Sequence, residues 1–168
     1  MAVYIGLDIG GTKFLVAAAD AQGRILRRVR AVPSPSLEED LAVLNRMTEE
    51  VAAGEAILGM GATVGGPLDW QTGVVSPLHQ PAWREVPLKE IMQTRWGCPF
   101  HVDVDTNIAA LGEYYIEKVT TRRFLYITLC TGMGGGFLVD GKVYRGKDGS
   151  PPMWGRGLKL CGRQTVLP

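Results

Sequence analysis

The chain is short of cysteine, of net charge and of long apolar runs. Its three cysteines among 168 residues are Cys98, Cys130 and Cys161, an odd number with no close pair. That pattern excludes a disulfide framework and a zinc knuckle and points to reduced thiols. The formal net charge is +1, with no basic tract and no helix-turn-helix ahead of Tyr4, so direct DNA binding is not expected. No apolar run reaches the roughly 20 residues of a membrane span. No basic segment followed by an apolar stretch marks a leader, and a cytoplasmic location without membrane contact is the expectation. A hydrophobic fraction of 46% with 21% charged residues suits a buried core rather than a disordered chain.

What is abundant is glycine, 22 residues, gathered around positions 6–11, 59–66 and 132–136. Each cluster lies within or just after a β-like run, where backbone must approach something closely. Residues 3–8 read as a buried strand, 14–20 as its antiparallel partner and 25–31 as a third strand. Ser36 followed by Glu38 and Glu39 marks a helix start, and Leu37, Leu41, Leu44 and Met47 keep helical spacing, with an end by Gly54. A strand follows at 57–64, a glycine loop at 65–69 and an irregular stretch at 77–87. A helix is predicted at 88–96, a strand at 100–104, and a helix at 108–119 capped by Thr106 or Asn107. A second hairpin opens at 123–129, turns through glycines 132–136, and returns, with Asp140-Gly141 as a further turn. Three hairpin-joined strands followed by helical crossovers make a mixed sheet in an α/β layer fold. "LDIGGTKFLVAAADAQGRIL" and "TLCTGMGGGFLVDGKVY" share one plan, an internal duplication of a phosphate-binding hairpin.

Three segments carry chemistry. In the first, Asp8 precedes a turn of Gly10, Gly11, Thr12 and Lys13. Such a turn aims backbone N–H groups at an anion, and the acid can hold Mg2+ through water. It is not a Walker A loop, which is longer and leads into a helix. The second is "LCTGMGGG", in which Thr131, Gly132 and Gly134 offer another donor-rich turn. The third is "VDVDTNIAALGE", which places Asp105 at a strand-to-helix junction, where α/β folds bind ligands. A carboxylate there can take a proton from a hydroxyl that attacks phosphorus.

Together these segments resemble the ROK family (repressor, open reading frame, kinase) of sugar kinases and sugar-responsive repressors. "LDIGGTK" is similar to its first phosphate motif, "VDVDTNIAALGE" to its catalytic segment and "TLCTGMGGGFLVDGKVYRG" to its second phosphate motif. "GATVGGPLD" followed by "GVV" is similar to its sugar-side segment. The resemblance implies an actin-like ATPase, ribonuclease H-like fold: a mixed sheet with flanking helices over residues 1–120, and the opening hairpin of a second lobe over 121–149. It implies an ATP-dependent hexose kinase using Mg2+ at Asp8. Gly10, Gly11, Thr12 and Lys13 would face the ATP phosphates from one side, and Thr131, Gly132 and Gly134 from the other. Gly66, Pro67 and Asn107 would serve the sugar, a hexose or amino sugar, and Asp105 would be the general base. The alternative is a non-catalytic sugar-sensing module related to the family's repressors.

The chain departs from the pattern in three places. Val104 stands where family kinases often carry a sugar-binding asparagine, and Cys130 stands where a glycine is usual. From Ser150 onward the family pattern is lost. Residues 150–168 read as a divergent tail, native or frame-shifted, without the Glu-x-x-His segment and cysteine-rich motif of the family. With no His beyond His101, zinc is not expected. The expectation is therefore a shortened chain that is weak or inactive alone, with the exposed hairpin at 123–144 covered by a second copy in a homodimer.

Overall fold

The computed structural model describes residues 2–129 and 133–146. The chain parts into two compact units between Asp105 and Thr106.

The first unit is built on a five-stranded sheet. Strand β1 (Ala2–Ile9) pairs antiparallel with β2 (Phe14–Ala19), which pairs antiparallel with β3 (Ile25–Ala31). On its other side β1 runs parallel to β4 (Ala56–Val64), which runs parallel to β8 (Phe100–Val104), giving the order β3-β2-β1-β4-β8. Period-two burial sets one face of this sheet as the core: Val3, Ile5, Leu7 and Ile9 on β1, Phe14, Val16 and Ala18 on β2, Met60, Ala62 and Val64 on β4. Helix α1 (Leu37–Ala52) supplies Leu44, Met47 and Val51 to that core, and α2 (Leu88–Trp96) supplies Leu88 and Met92. Each such fully buried side chain contributes about 1.5–3 kcal/mol relative to exposure.

Helix α1 starts where its sequence signals say it should. The Ser36 hydroxyl accepts from the Glu39 N–H, and Glu38, Glu39 and Asp40 occupy the first turn, where negative charge meets the exposed N–H groups. It ends on Ala53 in a left-handed conformation, followed by Gly54 at φ 77°. The Arg27 guanidinium reaches across from β3 to donate to the carbonyls of Val51 and Ala52 and to pair with Glu55 at 2.9 Å.

Between β4 and α2 the chain is more ordered than its sequence implies. Residues 65–69 and 77–87, read as loop and irregular stretch, contribute β5 (Leu68–Asp69) and β7 (Val86–Pro87). With β6 (Val74–Val75) these form a small antiparallel sheet ordered β5-β6-β7. Two-residue strands show no periodicity, and their pairing is set by tertiary contact. Trp83, wholly buried, pins this excursion to α1 by donating its indole N–H to Asp40 Oδ2 at 2.9 Å.

The second unit holds most of α3 (Asp105–Ile116) and a sheet ordered β11-β10-β9, made of β9 (Arg123–Leu129), β10 (Met133–Val139) and β11 (Lys142–Val143). Here two readings need correction. Helix α3 begins at Asp105 without an intervening loop, so Thr106 and Asn107 lie inside its first turn rather than capping it, and Asn107 is wholly buried. The glycine turn expected at 132–136 is not a turn over its described residues. Strand β10 already begins at Met133, and Gly134, Gly135 and Gly136 pair with Thr128, Ile127 and Tyr126. The Asp140-Gly141 turn is as expected, both residues taking positive φ (49° and 76°).

Candidate active site

The candidate site is fixed by strand register. Ile9 of β1 pairs with Val64 of β4, and Val64 pairs with Val104 of β8. Three parallel strands thus end level with one another. The next residue of each is Gly10, Gly65 and Asp105. Three sequence motifs, separated by about forty or more residues, therefore emerge side by side at the carboxyl edge of one sheet, the place where open α/β sheets bind ligands.

The 10–13 turn is closed by a hydrogen bond from the Gly10 N–H to the Lys13 carbonyl at 3.1 Å. Gly11, Thr12 and Lys13 are exposed. Neither glycine takes positive φ. Gly11 is required for a different reason: a Cβ there would stand 2.5 Å from the Cβ of His79. The site thus includes a neighbour, His79, that no local sequence signal connects to the turn.

Asp8 is half-buried, on the sheet face opposite the core. Burial pushes its carboxyl above the ordinary range, the Lys13 ammonium pulls it back down, and the Asp105 carboxylate pushes it up again. The structure therefore brings Lys13 and Asp105 each within electrostatic reach of Asp8. Asp105 itself is exposed at the end of β8. On the other flank, the Gly66 carbonyl accepts from the Leu78 N–H at 3.4 Å and the Pro67 carbonyl from the Ser76 N–H at 2.9 Å. These bonds fix the 65–67 loop over the end of β4. A Cβ on Gly66 would meet Val104 Cγ1 at 3.5 Å, so Val104, the departure noted above, presents an apolar wall beside that loop.

Register also adds two residues that motif reading passed over. Asp8 pairs with Thr63, and Thr63 with Asp103, so an acid, a hydroxyl and an acid stand in a row across three strands. The Thr63 hydroxyl is buried without a hydrogen-bond partner, and Asp103 is buried, accepting from the Val104 N–H at 2.8 Å. Alternation along β8 gives the face of Asp103, but only the cross-strand register puts it in line with Asp8.

Asn107 and Gly134 belong to the second unit. Asn107 is buried in the first turn of α3, and Gly134 lies within β10, where a Cβ would come 2.9 Å from Thr106 Cγ2. Thr131, Gly132 and Cys130 lie outside the described residues, as does the tail at 150–168.

The donor set can be tested against Mg2+. Among the described residues no group of three His, Cys, Asp or Glu side chains could cage a metal. Mg2+ bound with a nucleotide does not need such a cage: one or two carboxylates suffice when phosphates and water complete the shell. Asp8, with Asp105 near it, fits that mode and not an all-protein site.

The ROK family model matches residues 4–159. The chain belongs to the ROK family. This ROK chain is 35% identical over 170 residues to a glucokinase of Streptomyces coelicolor, covering 96% of this chain and 53% of the relative. It is 28% identical over 155 residues to a putative xylose repressor of a Caldicellulosiruptor species, covering 88% of this chain and 39% of the relative. Among solved structures it resembles a ROK family glucokinase from Streptomyces griseus in complex with glucose and AMPPNP. That match has TM-score 0.76 and 32% identity, covering 88% of this chain and 48% of the other. The ROK chain thus has the actin-like fold of the sugar kinases and spans about half the length of the curated relatives it matches.

Proposed function

We propose that this chain carries the catalytic-base half of an ATP-dependent hexose kinase, with Asp105 as general base. The observation that carries the reading is the level ending of β1, β4 and β8. It sets the 10–13 turn, the 65–67 loop and Asp105 at one edge.

In this reading the exposed N–H groups and hydroxyl of Gly11 and Thr12, with the Lys13 ammonium, hold the phosphates of ATP. Gly66 and Pro67 shape the sugar side, for a hexose or an amino sugar. Asp105 accepts the proton of the sugar hydroxyl while that oxygen bonds to the γ-phosphorus and the bond from phosphorus to the ADP oxygen breaks. Asp8 would hold Mg2+, which when bound neutralises charge on the phosphate oxygens. Thr131, Gly132 and Gly134 are assigned to the phosphates as well, and Asn107 to support of the sugar segment.

Incubation with magnesium-ATP and a panel of hexoses tests this. At most weak turnover is expected of this chain, and Asp105→Asn should lower kcat by about 10²–10⁴-fold, the usual contribution of a positioned base. Turnover equal in the variant would overturn the role of Asp105. The repressor relative favours one second reading, a sugar sensor, and that reading gains if hexose binds without turnover.

The same proposal includes a homodimer. Among the described residues strand β9 ends its sheet, and its exposed side chains include Leu125, Ile127 and Leu129, at 40%, 48% and 73%. An unprotected apolar edge of this kind favours pairing with a second copy. Sedimentation at micromolar concentration should show a dimer, and a strictly monomeric species would count against it.

A further inference from the structure

Asp8 and Thr63 have few neighbours on the sheet face they share. Residues two apart along a strand lie on one face. Asp8 is therefore flanked along its own strand by Gly6 and Gly10, and Thr63 by Gly61 and Gly65. None of the four carries a side chain, and a Cβ added at Gly6, Gly61 or Gly65 would meet nothing within 4 Å. Across the strands, register puts Leu15 on one side of Asp8 and Thr63 on the other. Thr63 in turn stands between Asp8 and Asp103. Among the described residues of this sheet, Thr63 is thus the one polar side chain adjacent to Asp8.

The Thr63 hydroxyl oxygen is buried and has no hydrogen-bond partner among the described residues. Bulk water does not reach it, so an adjacent side chain is the natural source of a partner. Asp103 is already engaged: it is 6% exposed and accepts from the Val104 N–H at 2.8 Å. Asp8 is half-buried, and its carboxyl is governed by burial and by the charges of Lys13 and Asp105, with no hydrogen bond among the causes. A hydroxyl that lacks an acceptor and a carboxylate that lacks a donor therefore stand side by side. Paired strands lie about 4.8 Å apart, and a threonine hydroxyl redirects itself by moving between staggered χ1 wells.

On the reading of Asp8 as the residue that holds nucleotide-bound Mg2+, we infer that Thr63 is its positioning residue. The Thr63 hydroxyl donates to one carboxylate oxygen of Asp8 in the loaded state and leaves the other oxygen for the cation. The bond is conditional on loading. A carboxylate fixed in its ionised form accepts a charge-assisted hydrogen bond, about twice as strong as a neutral one. In the empty chain the same hydroxyl is an unpaired buried group, which is unfavourable. Thr63 therefore weakens the empty chain and strengthens the loaded one.

Calorimetric titration of the full chain with AMPPNP, once with Mg2+ and once with EDTA, tests the inference. The forms compared are wild type, Thr63→Val, Thr63→Ser, Asp8→Ala and the Asp8→Ala, Thr63→Val double variant. With Mg2+, Thr63→Val should bind about tenfold or more weakly than wild type, the value of one hydrogen bond to a charged group. Thr63→Ser keeps the hydroxyl and should stay within about twofold of wild type. In EDTA, Thr63→Val should also stay within about twofold, which a general loss of packing would not allow. With the acceptor gone in Asp8→Ala, adding Thr63→Val should change binding by less than about twofold. Thermal melting without nucleotide should show Thr63→Val at least as stable as wild type, because an unpaired hydroxyl has been removed. Equal binding of AMPPNP with Mg2+ by Thr63→Val and wild type, an equal loss in EDTA, or no nucleotide binding by any form would overturn the inference. The kinase reading fails separately, by hexose turnover indifferent to Asp105.

Discussion

The two glycine-bearing hairpins share a sequence plan but use their glycines differently. In the β1–β2 hairpin Gly10 and Gly11 lie in the loop. Strand pairing stops at Ile9 and Phe14, and Gly11 makes room for His79. In the β9–β10 hairpin Gly134, Gly135 and Gly136 are ladder residues. Cβ atoms at 134 and 136 would collide with α3: with Thr106 Cγ2 at the first, and with the Thr106 backbone and the Ala110 Cβ at the second. The first hairpin therefore keeps Gly10 and Gly11 where a ligand could use exposed backbone, and the second uses two of its glycines to seat a helix close against a strand. A shared glycine pattern marks close approach, and only the structure tells what approaches.

The sharpest test of this contrast is a methyl group added to each hairpin. Gly136→Ala drives a Cβ into the helix backbone at Thr106, which cannot yield without moving α3. It should cost about 3 kcal/mol in urea unfolding, at the upper end for overpacking. Gly11→Ala meets the Cβ and the backbone carbonyl oxygen of His79, an exposed residue in a connecting segment rather than the interior of a helix, and should cost about 1–2 kcal/mol. Gly6→Ala has no atom within 4 Å of the new Cβ and serves as the reference, within about 0.5 kcal/mol of wild type. A larger penalty at Gly11 than at Gly136 would reverse the comparison.

Much of the first unit was legible because its signals are local. Alternation along β1, β2 and β4, the Ser36 cap with its acids, and the leucines of α1 all act within a few residues of one another. The left-handed pair at Asp140-Gly141 is equally local. What escaped depends on contacts between distant segments. The β5-β6-β7 sheet is held by pairing between two-residue strands. The start of α3 at Asp105 leaves no linker for a cap to occupy. The role of Gly136 is set by a helix thirty residues earlier in the chain. In the candidate site, Asp8 and Asp105 could be named from motifs, but Thr63, Asp103 and His79 join it only through register and packing.

The acids of the two hairpins offer a smaller and more selective test. Asp8 precedes the first turn, and burial, opposed by Lys13 and reinforced by Asp105, holds its carboxyl above the ordinary range. Between the ordinary carboxylate value near pH 4 and its raised value, the folded chain holds more proton than the unfolded chain. Stability therefore falls as pH rises through that window, and the penalty persists at neutral pH. Asp8→Asn removes it. The variant should be more stable than wild type at pH 7, by less than either glycine effect, and the gap should close on acidification toward pH 4. A gap that widens on acidification would contradict the assignment of burial as the dominant cause.

Asp140, in the turn from β10 to β11, titrates the other way. The Arg122 guanidinium donates to it at 2.9 and 3.3 Å, and that hydrogen bonding holds its carboxyl below the ordinary range. Its contribution is present above the ordinary value and is lost as pH falls through the depressed one. Asparagine tolerates the positive φ at this position, so Asp140→Asn isolates the charge from the turn. At pH 7 the variant should be slightly less stable than wild type, the smallest effect of the set because the pair is exposed and screened by salt. The difference should vanish on acidification below about pH 4, and also at high salt. Opposite pH slopes for Asp8→Asn and Asp140→Asn would separate an acid held against its burial from one held by its partner. Parallel slopes would mean that the two hairpins place their acids alike, despite the different uses they make of glycine.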